Sequence, residues 1–224
     1  MENAKQIPIY KEELKGLEAN LAKMAPKEVL DVFSKDAERM AKEYIMPLKL
    51  KVGDRAPLFE LPNAVNKEVS LQNLLNKGLV VLTFYRGTWC PFCNLALNAY
   101  QRILPEIKSL GADLVAISPQ KPDHSLNIKQ KNSLEFEVLS DMGNVTAKKY
   151  TTVFEISNEA RETANKLGLD YSIFYENKEL NIPVPALFII DKNGVIVFAK
   201  SEGGDYRIRV EPTEILNFLK QYKN

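Results

Sequence analysis

The stretch that decides the fold reads Leu79-Val80-Val81-Leu82-Thr83-Phe84-Tyr85-Arg86-Gly87-Thr88-Trp89-Cys90-Pro91-Phe92-Cys93. Residues 79–85 form a continuous apolar run with β-branched and aromatic side chains, which predicts a buried central strand. Cys90 and Cys93 follow it and are the only 2 cysteines in 224 residues. A strand that ends in Cys-x-x-Cys and continues into a helix is typical of a thiol–disulfide redox site. The stretch therefore predicts an α/β fold with a dithiol at a strand–helix junction.

The cysteine pair has two other interpretations. A structural zinc site normally has four ligands, and the chain adds one histidine, His124, to its cysteines. A metal or cluster shared between protomers therefore stays open, as does a pair without redox activity. If the pair is redox-active, the start of the helix and Arg86 would both stabilise a thiolate at Cys90. We therefore predict that Cys90 is the more acidic thiol and that it attacks a substrate disulfide, after which Cys93 resolves the mixed disulfide.

The composition excludes several classes of partner. With 30 basic and 29 acidic residues, the chain has a net charge of +1. This balance gives no indication of a nucleic acid or an anionic membrane as the main partner. No segment approaches the ~18 apolar residues of a membrane span, and the first residues lack the apolar core of a secretory signal. We expect a cytoplasmic protein in a reducing compartment.

Helices and strands alternate on the C-terminal side of the cysteines. Residues 113–118 predict a second buried strand, which completes a βαβ unit with the first. The intervening helix should kink or break at Pro105 and stop at Gly111. Asn193-Gly194 predicts a hairpin between two late strands. The other predicted elements are a strand at 136–139 and helices at 125–132, at 159–167 and from 212 onward.

The chain opens with two amphipathic helices. Apolar residues recur at helical spacing over 10–24 and again from Pro26 to just before Pro47. We predict that residues 1–50 are an N-terminal helical extension and that residues 51–224 form the main domain. The extension either packs simply on that domain, or forms a homodimer contact or a cover over the redox site.

The order of elements resembles the thioredoxin fold, and three segments resemble one family within it. Residues 53–61 (GDRAPLFEL) look like the opening strand of peroxiredoxins. Residues 84–93 look like the active-site segment of the peroxiredoxin-like branch of the alkyl hydroperoxide reductase/thiol-specific antioxidant (AhpC/TSA) family. Residues 187–194 are similar to its closing hairpin. The resemblance implies a peroxiredoxin-type thioredoxin-like fold over roughly residues 52–222.

The chain also departs from the pattern of that family. The alignment places Cys93 at the peroxide-reactive position, Cys90 at the position of a Thr, and Pro185 at the position of a peroxide-binding Arg. Val184-Pro185 resembles the thioredoxin motif in which a cis-proline faces the cysteine pair and the preceding backbone pairs with substrate. We therefore expect a cis bond there. We also expect weak peroxidase activity relative to thiol–disulfide exchange, unless Arg86 replaces the missing Arg.

The resemblance implies an antioxidant enzyme that needs no cofactor. Cys90 and Cys93 would cycle between dithiol and disulfide, reducing hydroperoxides or protein disulfides, with a thioredoxin- or glutaredoxin-type protein as reductant. If peroxide is the substrate, the order of attack stays open. The residues expected to bind substrate or partner are Arg86, Thr88, Trp89, Pro91, Phe92, Val184 and Pro185.

A second hypothesis comes from a different class of protein: a non-catalytic redox-sensing or metal-bridging module that assembles through the N-terminal helices. His124 is a weak catalytic candidate because it lies in a predicted loop, where Asp123-His124 could cap the next helix. Asp141 and Asp191 are interpreted as structural residues.

Overall fold

The computed structural model describes residues 6–175 and 180–222. Its strands are β1 (Glu60–Pro62), β2 (Glu68–Ser70), β3 (Leu79–Phe84), β4 (Ala112–Ser118), β5 (Glu137–Ser140), β6 (Val153–Glu155), β7 (Asn181–Pro183), β8 (Ala186–Ile190) and β9 (Ile196–Lys200). Its helices are α1 (Tyr10–Met24), α2 (Lys27–Glu43), α3 (Leu71–Leu75), α4 (Pro91–Arg102), α5 (Leu104–Ser109), α6 (Pro122–Lys131), α7 (Ala147–Tyr150), α8 (Asn158–Lys166) and α9 (Pro212–Gln221), with a 3₁₀ turn at Tyr171–Phe174.

The central sheet has five strands in the order β5-β4-β3-β8-β9. β3, β4 and β5 are parallel, whereas β8 pairs antiparallel with β3, and β9 pairs antiparallel with β8. Every residue of β3 is buried, as the continuous apolar run predicted. The βαβ unit and the hairpin are also confirmed. In the hairpin, Asp191 accepts hydrogen bonds from the backbone N–H groups of Asn193 and Val195, so its role is structural.

The helix after the cysteines breaks near Pro105, as the sequence predicted. α4 ends at Arg102, and α5 begins two residues later with Pro105 in its first turn. Proline has no N–H for an intrahelical hydrogen bond, and its ring clashes with the preceding turn. Gly111 then adopts a φ of 76°, which favours glycine, and the chain turns into β4.

Helices cover both faces of the sheet and create two apolar cores. One core joins the inner sides of α4, α5 and α9 to the sheet and contains both cysteines. The other packs α3 and the ring of Tyr150 against the opposite face. The cysteines therefore lie within the main core, beneath helices that hold their turn in place.

The N-terminal helices pack directly on the rest of the chain. α1 lies along α4, and α2 lies along α8. The Glu211 carboxylate accepts hydrogen bonds from the backbone N–H groups of Tyr10 (2.8 Å) and Lys11 (2.9 Å), so it caps the start of α1. The Tyr10 hydroxyl also donates to the Arg207 carbonyl at 2.6 Å. The division of the chain near residue 50 stays a prediction.

α6 begins at Pro122, earlier than predicted, because proline suits the first turn of a helix. His124 therefore lies in that first turn and not in a loop, so this part of the prediction is wrong. No helix in residues 6–175 and 180–222 is long and apolar enough to cross a membrane.

Candidate active site

The two cysteines lie at the start of α4. Cys90 is the residue before the helix, Pro91 is its first residue, and Cys93 follows in the first turn. The Cys90 carbonyl accepts hydrogen bonds from the backbone N–H groups of Cys93 and Asn94, both at 3.1 Å. Cys90 is 1% exposed and Cys93 is 0% exposed, and both are free thiols. This turn holds the two sulfurs close enough to hydrogen-bond to each other.

The sulfur of Cys93 is surrounded by donors. Arg209 Nη2 donates to Cys93 Sγ at 3.2 Å, and the backbone N–H of Arg86 donates to the same sulfur. Arg209 is itself fixed, because its Nη1 donates to the carbonyls of Tyr206 and Ile208. A rigid guanidinium beside a sulfur favours the thiolate.

These contacts reverse the predicted order of acidity. Burial alone would raise the pKa of Cys93, but the Cys90 thiol and the positive charges of Arg209 and Arg86 hold it well below the ordinary value. Burial and the hydrogen bond with Cys93 instead raise the pKa of Cys90. The prediction that Cys90 is the more acidic thiol is therefore wrong, because the helix-start effect is weaker than a guanidinium in direct contact with the other sulfur.

Arg86 is buried in the wall of the site. It is 4% exposed, so it is not a solvated loop charge. Its guanidinium carbon lies 3.7 Å from the ring centroid of Tyr206 and 4.9 Å from that of Trp89. Within the described part of the chain its Nε has no hydrogen-bond partner. A buried cation beside the sulfurs favours a thiolate.

Trp89 is held in a network of aromatic residues. Its indole Nε1 donates to the Tyr175 hydroxyl at 2.9 Å, and that hydroxyl donates to the Arg86 carbonyl at 3.1 Å. The Trp89 and Tyr171 ring centroids are 4.5 Å apart. Gly87 is required beneath the indole, since a Cβ there would lie 2.5 Å from Trp89 Nε1. These contacts fix the position of Trp89, one of the residues expected to bind substrate or partner.

A cavity of about 380 Å³ opens beside Cys90. Among the predicted binding residues, Arg86, Trp89, Pro91 and Phe92 line it. The opposite wall comes from α1, α2 and the region around α8, with side chains that include Leu21, Ala25, Val29, Leu30, Phe33, Ala164, Leu167 and Leu169. The N-terminal helices thus line one wall of the cavity beside Cys90, and their interpretation as a cover or a homodimer contact stays a prediction. Cys93 is not part of the cavity lining.

Thr88 supports the turn from outside the cavity lining. Its backbone N–H donates to Gln120 Oε1, and its carbonyl accepts from Asn94 Nδ2 at 2.7 Å. Both backbone groups are therefore occupied within the protein. The structure gives Thr88 a role in shaping the approach to Cys90.

The sequence predicted a cis bond at Val184–Pro185 and a Val184 backbone that is free to pair with a substrate, and both predictions are wrong. The Val184–Pro185 peptide bond is trans. The Val184 N–H donates to the Thr152 carbonyl, and the Val184 carbonyl accepts from Thr151 Oγ1 at 3.1 Å. The Pro185 carbonyl accepts from Ser201 Oγ at 2.7 Å. Val184 is 0% exposed, so its backbone has neither the surface nor the free groups to pair with a substrate strand.

The other polar candidates have structural contacts. His124 is half-buried, and its Nε2 lies 3.0 Å from the Ile173 carbonyl. Asp141 accepts hydrogen bonds from the backbone N–H groups of Thr146 and Ala147. In the described ranges, no group of three or more His, Cys, Asp or Glu side chains is placed to hold a metal ion.

Sequence reasoning missed Arg209 and Tyr206, which contact Cys93 and Arg86. Arg209 lies 116 positions after Cys93, in the segment Asp205-Tyr206-Arg207-Ile208-Arg209 before α9. Its alternating charged and apolar residues resemble an ordinary surface loop. The signal that was available is the cluster of two arginines close to the final helix, but only the fold shows which of them turns inward.

Comparison with known proteins agrees with the resemblance. The sequence profile of the AhpC/TSA family matches residues 52–199. The chain belongs to the AhpC/TSA family. A putative peroxiredoxin bcp from Buchnera aphidicola is 35% identical over 101 residues, which are 45% of this chain and 63% of that protein. The alignment thus spans less than two thirds of that relative. The thiol-disulfide oxidoreductase ResA of Bacillus thuringiensis is 25% identical over 150 residues, 66% of this chain and 69% of that protein.

Solved structures of similar shape confirm the fold of this AhpC/TSA chain. The peroxidoxin BcpB of Mycobacterium tuberculosis superposes with a TM-score of 0.61 at 21% identity, over 78% of this chain and 99% of that one. A peroxiredoxin-like protein from Aquifex aeolicus also gives 0.61, at 19% identity, over 80% and 90% of the two chains. The predicted peroxiredoxin-type thioredoxin-like fold is therefore confirmed.

Proposed function

We propose that this chain is a thiol-dependent peroxidase in which Cys90 and Cys93 alternate between dithiol and disulfide. One observation carries the proposal: a buried, charge-stabilised cysteine pair borders, through Cys90, a cavity that Arg86 also lines. A hydroperoxide is small enough to enter, and its oxygens can accept a hydrogen bond from Arg86. Membership of the AhpC/TSA family and the similarity to a putative peroxiredoxin support the same chemistry.

The mechanism divides the work between the two sulfurs. In the resting pair, Cys93 carries the negative charge and hydrogen-bonds to the Cys90 thiol. Cys90 attacks the outer oxygen of the peroxide, so that an S–O bond forms while the O–O bond breaks. Cys93 accepts the proton of Cys90, the departing oxygen takes a proton from solvent and leaves as an alcohol or water, and Cys93 returns its proton to solvent. Cys90 is now a sulfenic acid, and Cys93 is again a thiolate.

The second step closes the disulfide. The Cys93 thiolate attacks the Cys90 sulfur, the S–S bond forms, and hydroxide leaves and takes a proton from solvent. The pair has then lost two electrons, which have reduced the peroxide. A thioredoxin- or glutaredoxin-type dithiol returns the electrons by thiol–disulfide exchange.

Access is the reason for assigning the attack to Cys90. Cys90 borders the cavity, whereas Cys93 lies behind it against Arg209. The resemblance to the family instead implies Cys93 as the attacking sulfur. Two thiols that share a proton titrate as a pair, so a charge on Cys93 is available to Cys90 after one proton transfer. Cys93 can therefore lower the barrier without meeting the substrate.

Reduction of protein disulfides is the second candidate function. The similarity to ResA of Bacillus thuringiensis, a thiol-disulfide oxidoreductase, favours it. Two observations weigh against it: both cysteines are at most 1% exposed, and the Val184 backbone is occupied. Arg86 and Arg209 also place guanidinium groups near the two sulfurs. The presence of Pro185 where the family pattern has a peroxide-binding Arg therefore no longer argues for weak peroxidase activity.

The deciding experiment compares two substrates with one electron donor. Consumption of a hydroperoxide and reduction of insulin disulfides are measured side by side with thioredoxin and its reductase. We expect peroxide turnover to exceed insulin reduction. Faster insulin reduction would replace the peroxidase by the disulfide reductase, and turnover of neither would favour a redox-sensing module.

Formation of the disulfide is tested separately. We expect mild oxidation to remove both free thiols while the chain still migrates as a monomer on a non-reducing gel. Two thiols that persist after oxidation would contradict the cycle. We also propose a cytoplasmic location, because a thioredoxin-type donor works in a reducing compartment; fractionation of cells tests this.

A further inference from the structure

Arg86 and Arg209 are two buried cations beside the cysteine pair. Arg86 is 4% exposed and Arg209 is 7% exposed. Arg209 Nη2 donates to Cys93 Sγ at 3.2 Å, and its Nη1 donates to the neutral carbonyls of Tyr206 and Ile208. Within the described ranges, neither guanidinium forms an ion pair with a carboxylate. The thiolate of the cysteine pair is therefore the anion that balances these cations in the reduced chain.

Formation of the disulfide removes that anion. A disulfide is neutral, so both guanidinium groups stay in the protein interior without the charge that faced them. A buried charge without a partner is costly, because it has lost its hydration shell and gains no ion pair in return. The two arginines therefore stabilise the dithiol form relative to the disulfide. Thiol–disulfide oxidoreductases whose reduced form is stabilised are strong oxidants.

We propose that Arg86 and Arg209 make the Cys90–Cys93 disulfide a strong oxidant, so that the oxidised chain transfers its disulfide to small monothiols of the glutathione class. The chain then has a second activity, the oxidation of thiols. This assignment rests on the dithiol–disulfide cycle of the proposed function. It adds small thiols to the compounds that return the pair to its reduced form.

The two sulfurs have different roles in this transfer. Cys90 borders the cavity of about 380 Å³, whereas Cys93 is not part of its lining. A glutathione thiolate in the cavity attacks Cys90, so that an S–S bond to glutathione forms while the Cys90–Cys93 bond breaks. The electron pair of the broken bond stays on Cys93, which leaves as a thiolate beside Arg209. A sulfur with a low pKa is a better leaving group, so the guanidinium also accelerates the step.

A second glutathione completes the transfer. Its thiolate attacks the glutathione sulfur that is bound to Cys90, and glutathione disulfide forms. Cys90 leaves with the electron pair and takes a proton from solvent. Two glutathione molecules have then lost two electrons, which have reduced the disulfide of the chain. The second proton of the two thiols stays in solvent, because Cys93 remains a thiolate.

The oxidising strength of the disulfide is measured at equilibrium and without peroxide. The full chain is incubated at neutral pH in buffers of reduced and oxidised glutathione, and its free thiols are alkylated and counted by mass spectrometry. We expect the equilibrium constant for oxidation by glutathione disulfide to be at least about tenfold smaller than that of thioredoxin, whose reactive thiol has a pKa of about 7. Tenfold corresponds to about 30 mV for this two-electron couple.

Variants at Arg209 test whether the charge is the cause. Arg209→Met removes the charge, Arg209→Lys keeps a charge at the same position, and Arg161→Met removes an exposed charge that pairs with Glu155. We expect Arg209→Met to raise the equilibrium constant for oxidation by about tenfold or more, since the thiolate loses a cation in direct contact. Arg209→Lys should lie closer to the wild type than Arg209→Met does, and Arg161→Met should match the wild type.

Denaturant unfolding guards against misfolding of the variants. A disulfide normally stabilises a fold, but here we expect the reduced chain to unfold at a higher denaturant concentration than the oxidised chain. The difference should shrink or reverse in Arg209→Met. An oxidised wild type that is the more stable form would overturn the proposal, as would equal equilibrium constants for the wild type and Arg209→Met.

The position of attack is tested by trapping the mixed disulfide. With oxidised glutathione, Cys93→Ser should bind one glutathione at Cys90, whereas Cys90→Ser should bind almost none, as mass spectrometry would show. The reverse result would overturn entry through Cys90. A strongly oxidising disulfide in a chain that consumes no peroxide would contradict the proposed peroxidase and leave the thiol-oxidising activity standing.

Discussion

The two sulfurs of this chain lie in the same helical turn but in different surroundings. Cys90 borders an apolar cavity that Arg86 also lines. Cys93 faces the interior, where Arg209 and the backbone of Arg86 donate to its sulfur. The comparison teaches that access and charge, which a reactive thiol normally combines, are divided here between two residues.

This division has a physical advantage. A thiolate that borders an apolar cavity would be poorly solvated whenever the cavity holds an organic molecule. Charge on Cys93 keeps its hydrogen bonds to fixed donors whether the cavity is occupied or empty. A proton that moves between the two sulfurs then makes the charge available at Cys90 only when the reaction occurs.

The largest expected effect separates the two sulfurs directly. Either Cys90→Ser or Cys93→Ser should abolish the disulfide cycle, but their single-turnover reactions should differ. In the Cys93→Ser variant, Cys90 should still react with one equivalent of peroxide, slowly because its proton acceptor is lost. In Cys90→Ser, the remaining sulfur is buried and should be nearly inert. Stopped-flow oxidation and alkylation rates at neutral pH measure both.

The opposite ranking of these variants would reverse the comparison. If the chain that retains only Cys93 reacts faster, Cys93 is the attacking sulfur, as the alignment with the family implies. The cavity would then deliver substrate past Cys90.

Loss of Arg209 should have the next largest effect. Arg209→Met removes the charge and the hydrogen bond at Cys93 while keeping much of the side-chain bulk. Each unit by which the pKa of the pair rises above the working pH lowers the thiolate fraction by about tenfold. We therefore expect kcat/KM to fall by about 10–10². Arg161→Met is the control, because Arg161 forms only an exposed ion pair with Glu155.

The thiolate should be detected directly in the same variants. Its ultraviolet absorbance, followed against pH, should shift to higher pH in Arg209→Met and stay unchanged in Arg161→Met. An unchanged titration in Arg209→Met would mean that the cation does not set the acidity of Cys93.

The depressed pKa of Cys93 also predicts how stability depends on pH. Because its native pKa lies below the value of about 8.5 in the unfolded chain, its ionisation contributes stability that is fully present above 8.5. That stability is lost as pH falls through the native pKa. The disulfide form has no such group. We expect the Tm of the reduced chain to fall further than that of the oxidised chain as pH decreases from 8 to 5.

If the Tm of the reduced chain and the Tm of the oxidised chain fall by the same amount between pH 8 and 5, the charge does not lie on Cys93. The comparison uses one chain in two redox states, so carboxylates and other titrating groups contribute almost equally to both curves.

The smallest expected effect concerns the attachment of the cavity wall. Glu211→Ala removes the carboxylate that caps α1 at Tyr10 and Lys11. Loss of a cap costs about 0.5–2 kcal/mol of stability, which is measurable by denaturant unfolding. Glu12→Ala, an exposed change in the same helical turn, is the control and should alter stability by less. Equal losses of stability in Glu211→Ala and Glu12→Ala would show that the Glu211 carboxylate does not hold α1 in place.

Local patterns were enough to predict the sheet and the position of the dithiol. The apolar run of β3, the Cys-x-x-Cys pair and the Asn193-Gly194 turn each act through neighbours in sequence. Arg209 could not be predicted in this way, because its contact with Cys93 depends on how the segment before α9 folds back across α4. The same limit explains Val184, whose backbone is occupied by Thr151 and Thr152 from another part of the chain.

The capping of α1 by Glu211 has a consequence for how such an enzyme could evolve. Glu211 lies two residues after Arg209, so the contact that holds the cavity wall and the contact that charges Cys93 belong to one short segment. Residues 52–199 include both cysteines but neither of these groups. Genetic exchange of that stretch alone would transfer the sheet and the thiols without the arginine beside Cys93 or the residues that hold the cavity wall. The ends of the chain and its centre are therefore expected to be inherited together.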